Sequence, residues 1–423
     1  MRKILMLVFF IGAMHVLGFS QDEKSDKPSD RGSLSGALDL YGNFFIRDSV
    51  IGASGTPQYE RQKYGADGWL TLNYNYKGFD VGLRFDLFNN SYLLNPSGSY
   101  TAQGIGRWYV RKQVDKLNIY VGYIYDQIGS GSIFRAYEER FLAIDNALVG
   151  IRVSYDITKN LKIKAFTGKQ KQQFDTYNSI LKGAAVDWYY KPKEESKWST
   201  APGAGIVIKT LSDQQGDFIK TTLQTYHPND SIGANYNTWA YSFYNTLSIQ
   251  NFSWYAEAAF KRGEVFIDPN AVKTLANGEL SKGRYVNRPG THFYSAMSYA
   301  GEKLGASLEL KRTEDFTFRA DPTATFNRGI INFLPPMSKV NTYRMTTRYV
   351  PATQELGEKA LQADIRYKVN KKLDVGVNFS DISRLDDLKL YQEINVDFTY
   401  KNRPKWQLTA GLQRQIYNQD IYL

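Results

Sequence analysis

The chain has 423 residues, 53 Lys and Arg against 42 Asp and Glu, a formal charge of +11, three histidines and no cysteine. The missing cysteines exclude a thiol nucleophile, a disulfide framework, an iron–sulfur cluster and Cys-ligated zinc, and the few histidines exclude a multi-histidine metal centre. A mean hydropathy of −0.45 argues against a helical membrane protein.

Arg2 and Lys3 form a positive n-region, an apolar stretch runs from Ile4 to about Leu17, and Gly18-Phe19-Ser20 is a small-x-small cleavage pattern. Residues 1–20 therefore read as a signal peptide with Gln21 as the new N-terminus; the run is too short for a spanning helix. Residues 21–32 are charged, hold no large apolar side chain and read as a disordered periplasmic arm.

From residue 33 the dominant period is two. Leu34, Leu38, Leu40, Phe44 and Ile46 alternate with Ser35, Asp39, Tyr41 and Asn43. Two further alternating runs, Leu70–Tyr76 and Phe79–Leu87, flank Lys77-Gly78, which predicts a β-hairpin. Hairpins of the same kind are predicted around Asp115-Lys116, Thr158-Lys159-Asn160, Gln250-Asn251, Asn370-Lys371-Lys372 and Asn402-Arg403-Pro404. Long polar segments separate them, at about 48–66, 89–104, 127–146, 171–181, 212–237, 263–290 and 383–390. Alternating short and long connections, strands near ten residues, and aromatics at strand ends (Trp69, Trp108, Trp188, Tyr190, Trp239, Trp254, Tyr299, Tyr400, Trp406) predict an all-β fold. It is a large transmembrane antiparallel β-barrel over 33–423, with short periplasmic turns and long extracellular loops. A strand count of about 18–20 is expected, the weakest strand being 324–334, around Ile330, Ile331 and Phe333. The odd count of about 19 means either a miscounted strand or a chain that stops early, because Tyr417–Leu423 reads as the start of a loop or a broken strand. There is no room for a plug domain before residue 33.

The region 33–414 resembles large outer-membrane β-barrels of the Bacteroidota type. Two segments resemble motifs of an uncharacterised family of such barrels. One is Gly129-Ser130-Gly131-Ser132-Ile133-Phe134-Arg135-Ala136-Tyr137-Glu138-Glu139-Arg140 with Asp145-Asn146-Ala147-Leu148-Val149-Gly150, and the other runs from Tyr349 to Glu358. The resemblance implies fold and an outer-membrane location in a Gram-negative bacterium, and carries no activity.

Within that fold, 129–146 is the most unusual loop. Gly129 and Gly131 permit a sharp bend, and Arg135, Glu138, Glu139, Arg140 and Asp145 bring both charge signs together. Folded into the lumen they form a pore constriction with a transverse field; left outside they hold an outer loop together. Arg84, Asp86, Lys162, Lys164, Asp364, Arg366, Lys368 and Asp397 fall on the polar strand faces and are expected to face the lumen, giving a field of mixed sign. No catalytic, cofactor or metal residue is assigned. His292 and Ser295 differ by three, which puts them on opposite strand faces. His227 with Asp230 or Ser231 reads as a turn, and Asp386-Asp387 beside Ser380 and Ser383 as a solvated loop rather than a calcium site. No Walker A, Rossmann, G-x-S-x-G or EF-hand pattern is present.

The expected function is a passive pore or uptake channel for small polar solutes, without catalysis. The alternative is a structural or assembly barrel acting through its loops in a surface or secretion complex. Expected partners are outer-membrane lipid, lipopolysaccharide, the barrel-insertion machinery and, on the alternative, surface or secretion-complex proteins; nucleic acid is not among them.

Overall fold

The computed structural model describes residues 32–46, 62–91, 93, 100–324, 328–339, 351–402 and 405–422. The signal peptide, and the arm up to its last residue, lie outside these. Seventeen strands form one sheet in which each pairs antiparallel with its neighbours in sequence. They are β1 (Ser33–Phe44), β2 (Tyr64–Tyr76), β3 (Phe79–Ser91), β4 (Tyr100–Val114), β5 (Leu117–Ile124), β6 (Leu148–Asp156), β7 (Leu161–Gln172), β8 (Asp175–Trp188) and β9 (Trp198–Thr210). The second half holds β10 (Asn237–Ile249), β11 (Phe252–Arg262), β12 (Gly290–Ala300), β13 (Leu304–Glu314), β14 (Gly357–Lys368), β15 (Leu373–Ser383), β16 (Lys389–Asn402) and β17 (Trp406–Tyr417).

The period-two pattern decides which face each residue takes. On β7, Ile163 is exposed on one face while Phe166 is buried on the other. On β14, exposed Ile365 and Tyr367 alternate with Asp364 and Arg366. All the expected short turns lie at one end of the sheet. At Lys77-Gly78 both residues have positive φ, 45° and 74°, as the tightest hairpin turn requires.

The inner face is defined, among the described residues, by two segments folded onto it, 125–147 and a second made of 315–324, 328–339 and 351–356. Gln127–Ile128 pairs with Phe134–Arg135 and Glu138–Glu139 with Ile144–Asp145, so the first segment is doubled back on itself. Its Ser130 N–H donates to Glu257 on β11 at 2.9 Å, and its Arg140 donates to Asp39 on β1 at 3.0 Å. β1 and β11 are ten strand steps apart in this meander, about 48 Å if the sheet were flat, whereas ten residues doubled back on themselves span far less than the about 36 Å of a fully extended run. The sheet therefore wraps around the segment. An apolar core occupies part of the space within: Ile128, Ile133 and Phe134 from one segment and Phe316, Phe318 and Ile331 from the other pack on Tyr120, Phe166, Leu181 and Val207.

Among the described residues the large sheet holds 17 strands, against an expected 18–20 for the whole barrel. Three expectations are corrected. The described residues of 324–334, which are 324 and 328–334, form no strand: Ile331 is 1% exposed in the inner core, and Ile330 makes only an isolated bridge to Arg319, so these apolar residues answer to burial inside the sheet and not to a strand period. Residues 171–181, expected as a polar loop, belong to a β7–β8 hairpin with a bulge between Lys169 and Lys171 and a two-residue turn at 173–174. Trp69 is 2% exposed on the inner face, not in a surface girdle, because it faces Asp39 and Asp86 across its two ladders.

On the long-connection side, 212–237 and 263–290 are also more ordered than a polar reading suggests. Helix α1 (Asp213–Leu223) opens with a capping box between Ser212 and Gln215. It packs through Ile219 and Leu223 on Tyr226, Val265 and Tyr285, the last two belonging to a hairpin of Val265–Thr274 with Leu280–Asn287. The buried Tyr226 hydroxyl accepts the Tyr285 N–H at 2.8 Å. Among the described residues no helix is long and apolar enough to cross a membrane.

Candidate functional site

The densest charged cluster lies where the first inward segment meets β1–β4 and β7. Arg84, 3% exposed, holds Asp86 through two parallel bonds of 2.7 and 2.9 Å. The same guanidinium reaches Glu138 at 2.5 Å and Asp145 at 3.5 Å. Lys171 donates to Asp145 at 2.5 Å and to the Gly106 carbonyl at 2.6 Å. Arg140 joins Asp39 and lies over the Trp69 ring at 5.3 Å. Tyr125 donates to Asp145 at 2.9 Å. Burial, reinforced by the Asp145 and Glu138 carboxylates, pushes the Tyr125 hydroxyl well above its ordinary pKa, so it remains a donor. Three cations thus face four carboxylates in the cluster, and all of these but Asp39 line a small pocket together with Phe88, Tyr100 and Phe174.

Of the five residues expected at a constriction, Glu138, Arg140 and Asp145 are in this cluster. Arg135 is not. Its guanidinium stacks on Phe333 at 4.0 Å and Tyr137 at 4.7 Å, because the two inward segments are joined there: Arg135 N–H donates to Ile331 O and Phe333 N–H to Gly131 O, both at 2.9 Å. Glu139 is exposed and makes none of these bonds.

Of the residues expected to line a lumen, Arg84 and Asp86 are in the cluster itself. Lys164 donates to Asp126 at 2.8 Å beside Arg152, which takes the same carboxylate at 3.1 Å. With exposed Lys162 they border a polar cleft of about 340 Å³ that also includes Arg111, Asp156 and Asp187. Across the inner face Lys339 bridges Asp364 at 2.8 Å and Asp397 at 3.8 Å. Arg366 approaches Asp364 at 3.5 Å and is largely exposed, as is Lys368.

Other readings also receive a geometry. His292 bonds Thr313 at 2.8 Å while Ser295 accepts from Trp254 Nε1, so the two do not meet. His227 accepts the Asn229 N–H and caps a short turn. Arg384 takes Asp386 and Lys359 takes Asp387, so cations already neutralise both carboxylates.

Sequence reasoning missed Asp39, Trp69 and Tyr125. It also missed a set of buried lysines, Lys209, Lys261 and Lys311, on β9, β11 and β13. All three occupy inner-parity positions, and that parity was the available signal.

The chain is similar to several solved outer-membrane proteins. The outer membrane protein OpdK of Pseudomonas aeruginosa shares 12% identity over 84% of this chain and 88% of its own, with a TM-score of 0.42. OccK9 (OpdG) of Pseudomonas aeruginosa shares 12% over 91% and 94%, with 0.45. A BenF-like porin of Pseudomonas fluorescens Pf-5 shares 10% over 91% and 93%, with 0.42. No curated protein matches the chain. A family's sequence profile does, over residues 1–422: the chain belongs to the family of unknown function DUF6029.

Proposed function

We propose that this protein is an outer-membrane β-barrel pore through which small polar solutes pass, filtered by size and charge without catalysis. The observation that carries the reading is the contrast between the two faces of the wrapped sheet. The outer face is an apolar belt ending, on the short-turn side, in exposed Tyr155, Trp188, Trp198, Trp254, Tyr299, Tyr367, Tyr400 and Trp406. The inner face carries opposed charges across β3–β7 and β14–β16, and an inward segment places Glu138, Arg140 and Asp145 among them. A closed barrel in lipid explains both: acyl chains cover the belt, and aromatics sit at the head-group level. The interior is narrowed by a segment whose charges set a transverse field. The short turns then face the periplasm and α1 with its hairpin faces outward. The reading of residues 1–20 as a signal peptide agrees with export to that membrane.

The inner core of Ile128, Phe134, Phe316 and Phe318 favours the second reading, a barrel largely filled and acting through its loops. Single-channel conductance of the purified mature protein in a planar bilayer, with and without residues 131–142, separates the two. The pore reading expects stable conductance that rises on deletion. No conductance from either form, in protein shown to be folded by heat-modifiable gel mobility, overturns it in favour of the filled barrel.

A further inference from the structure

An irregular segment inside a wrapped sheet carries carbonyls that no ladder satisfies, and each costs free energy unless a donor reaches it. Residues 316–324 and 328–337 are such stretches. Lys261 donates to Thr317 O, Lys209 to Arg319 O at 2.9 Å, and Lys311 to Pro335 O at 2.6 Å. Ser179 and Gln170 supply Ala320 O and Ile330 O, both at 2.5 Å. The lysines lie on alternate strands of one face and are at most 3% exposed. A buried ammonium needs compensation, and two have a carboxylate: Lys209 pairs with Glu264 at 2.6 Å and Lys311 with Glu358 at 2.7 Å. Lys311 also reaches Thr353 Oγ1 at 3.2 Å. Burying three ammonium groups is costly, and a segment held only by its apolar side chains would not need them.

We propose that Lys209, Lys261 and Lys311 are positioning residues that latch the stretches 316–324 and 328–337 inside the sheet, and through them hold the charged segment 125–147 at its constricting place. The coupling is direct. Beyond the two backbone bonds and the Arg135–Phe333 stack, Asn146 donates to Ile330 O at 3.3 Å. The aperture is therefore set by both segments, and the lysines fix it from the opposite side to the charge cluster. This inference rests on the pore reading for its effect on transport, but not for the latch itself.

The test uses the full mature protein with Lys209→Met, Lys261→Met and Lys311→Met together, substitutions that keep length and remove the donor. In the native protein, trypsin in detergent is expected to leave Arg319 and Arg328 uncut, and the amides of 316–324 and 328–337 to exchange as slowly as those of β9 and β11. In the triple variant, still heat-modifiable, trypsin resistance at those arginines is lost and conductance rises by about two-fold or more, since a released segment widens the path. Adding Ser179→Cys and Ala320→Cys in a chain otherwise free of cysteine restores resistance and conductance under oxidation, and reductant reverses both. A folded triple variant with native trypsin resistance overturns the latch. Should the triple variant not fold, fast exchange of the native amides overturns it instead. A silent native protein whose triple variant is nevertheless cut defeats the pore reading and leaves the latch standing.

Discussion

At the scale of single residues, Arg84 is the node of the charge cluster: one side chain touches Asp86, Glu138 and Asp145. Removing one partner of a buried ion pair leaves uncompensated charge, so Arg84→Met is expected to cost about 3–5 kcal/mol in urea unfolding of the refolded protein. Two cations would then face four carboxylates, and the reversal potential in a salt gradient should move toward cation preference. An unchanged reversal potential with clear destabilisation would mean that the cluster is structural and that permeating ions do not sense it. Arg84, Asp86 and Asp145 were legible because alternation assigns parity and the loop's composition stands out. The role of Arg135 was not, because its partner Phe333 lies 198 positions away in sequence. Nothing local distinguishes a guanidinium bound for carboxylates from one bound for an aromatic ring.

At the scale of elements, the closest backbone approach comes at a row of three glycines, Gly122, Gly150 and Gly168, in register across β5, β6 and β7. Gly122 has φ +117°, and a Cβ on Gly150 would meet Thr167 O at 2.0 Å and Gly168 Cα at 2.6 Å. The row sits on the inner face, where the sheet turns around the first inward segment. Gly150→Val is expected to cost at least about 3 kcal/mol and to abolish the heat-modifiable form. Gly42→Val on β1, where nothing lies within 4 Å, should refold like the native chain. Equal refolding yields for the two would mean that the close approach is not a requirement of the fold. On the long-connection side, Tyr226→Phe should leave the Tyr285 amide unpaired and speed its hydrogen exchange, at a local cost of about 1–3 kcal/mol. Strands and short turns could be read because period two and turn chemistry are local. The β7–β8 turn, α1 and the inner stretches at 316–324 and 328–337 could not. Each is defined by what it packs against, and Ile330, Ile331 and Phe333 look the same in a strand as in a core.

For the whole molecule, the two faces of one sheet are asked to meet different surroundings, and that is where the membrane reading is most exposed to test. Val153, Ile163, Ala184, Val186 and Ile206 form a shallow apolar surface on the outside of β6–β9, while Lys162 and Lys164, their neighbours in sequence, border the polar cleft within. If lipid covers the outside, a cation placed there must leave water for hydrocarbon. Ile163→Arg, across the ladder from the girdle residue Tyr155, is then expected to cost up to about 1 kcal/mol in vesicles, as for a cation near the membrane interface. The cost should shrink in a short-chain detergent, whose loosely packed shell lets the guanidinium reach water. Lys162→Ile, one position away on the inner face, should change stability little in either medium and shift ion selectivity instead. The measurement is urea unfolding of native, Ile163→Arg and Lys162→Ile proteins in phosphatidylcholine vesicles and in detergent, followed by tryptophan fluorescence, to which exposed Trp188, Trp198 and Trp254 contribute. Reversed costs for the two substitutions would turn the sheet inside out. Equal costs, the same in lipid and detergent, would remove the membrane from the argument and leave a wrapped sheet whose apolar belt meets something else.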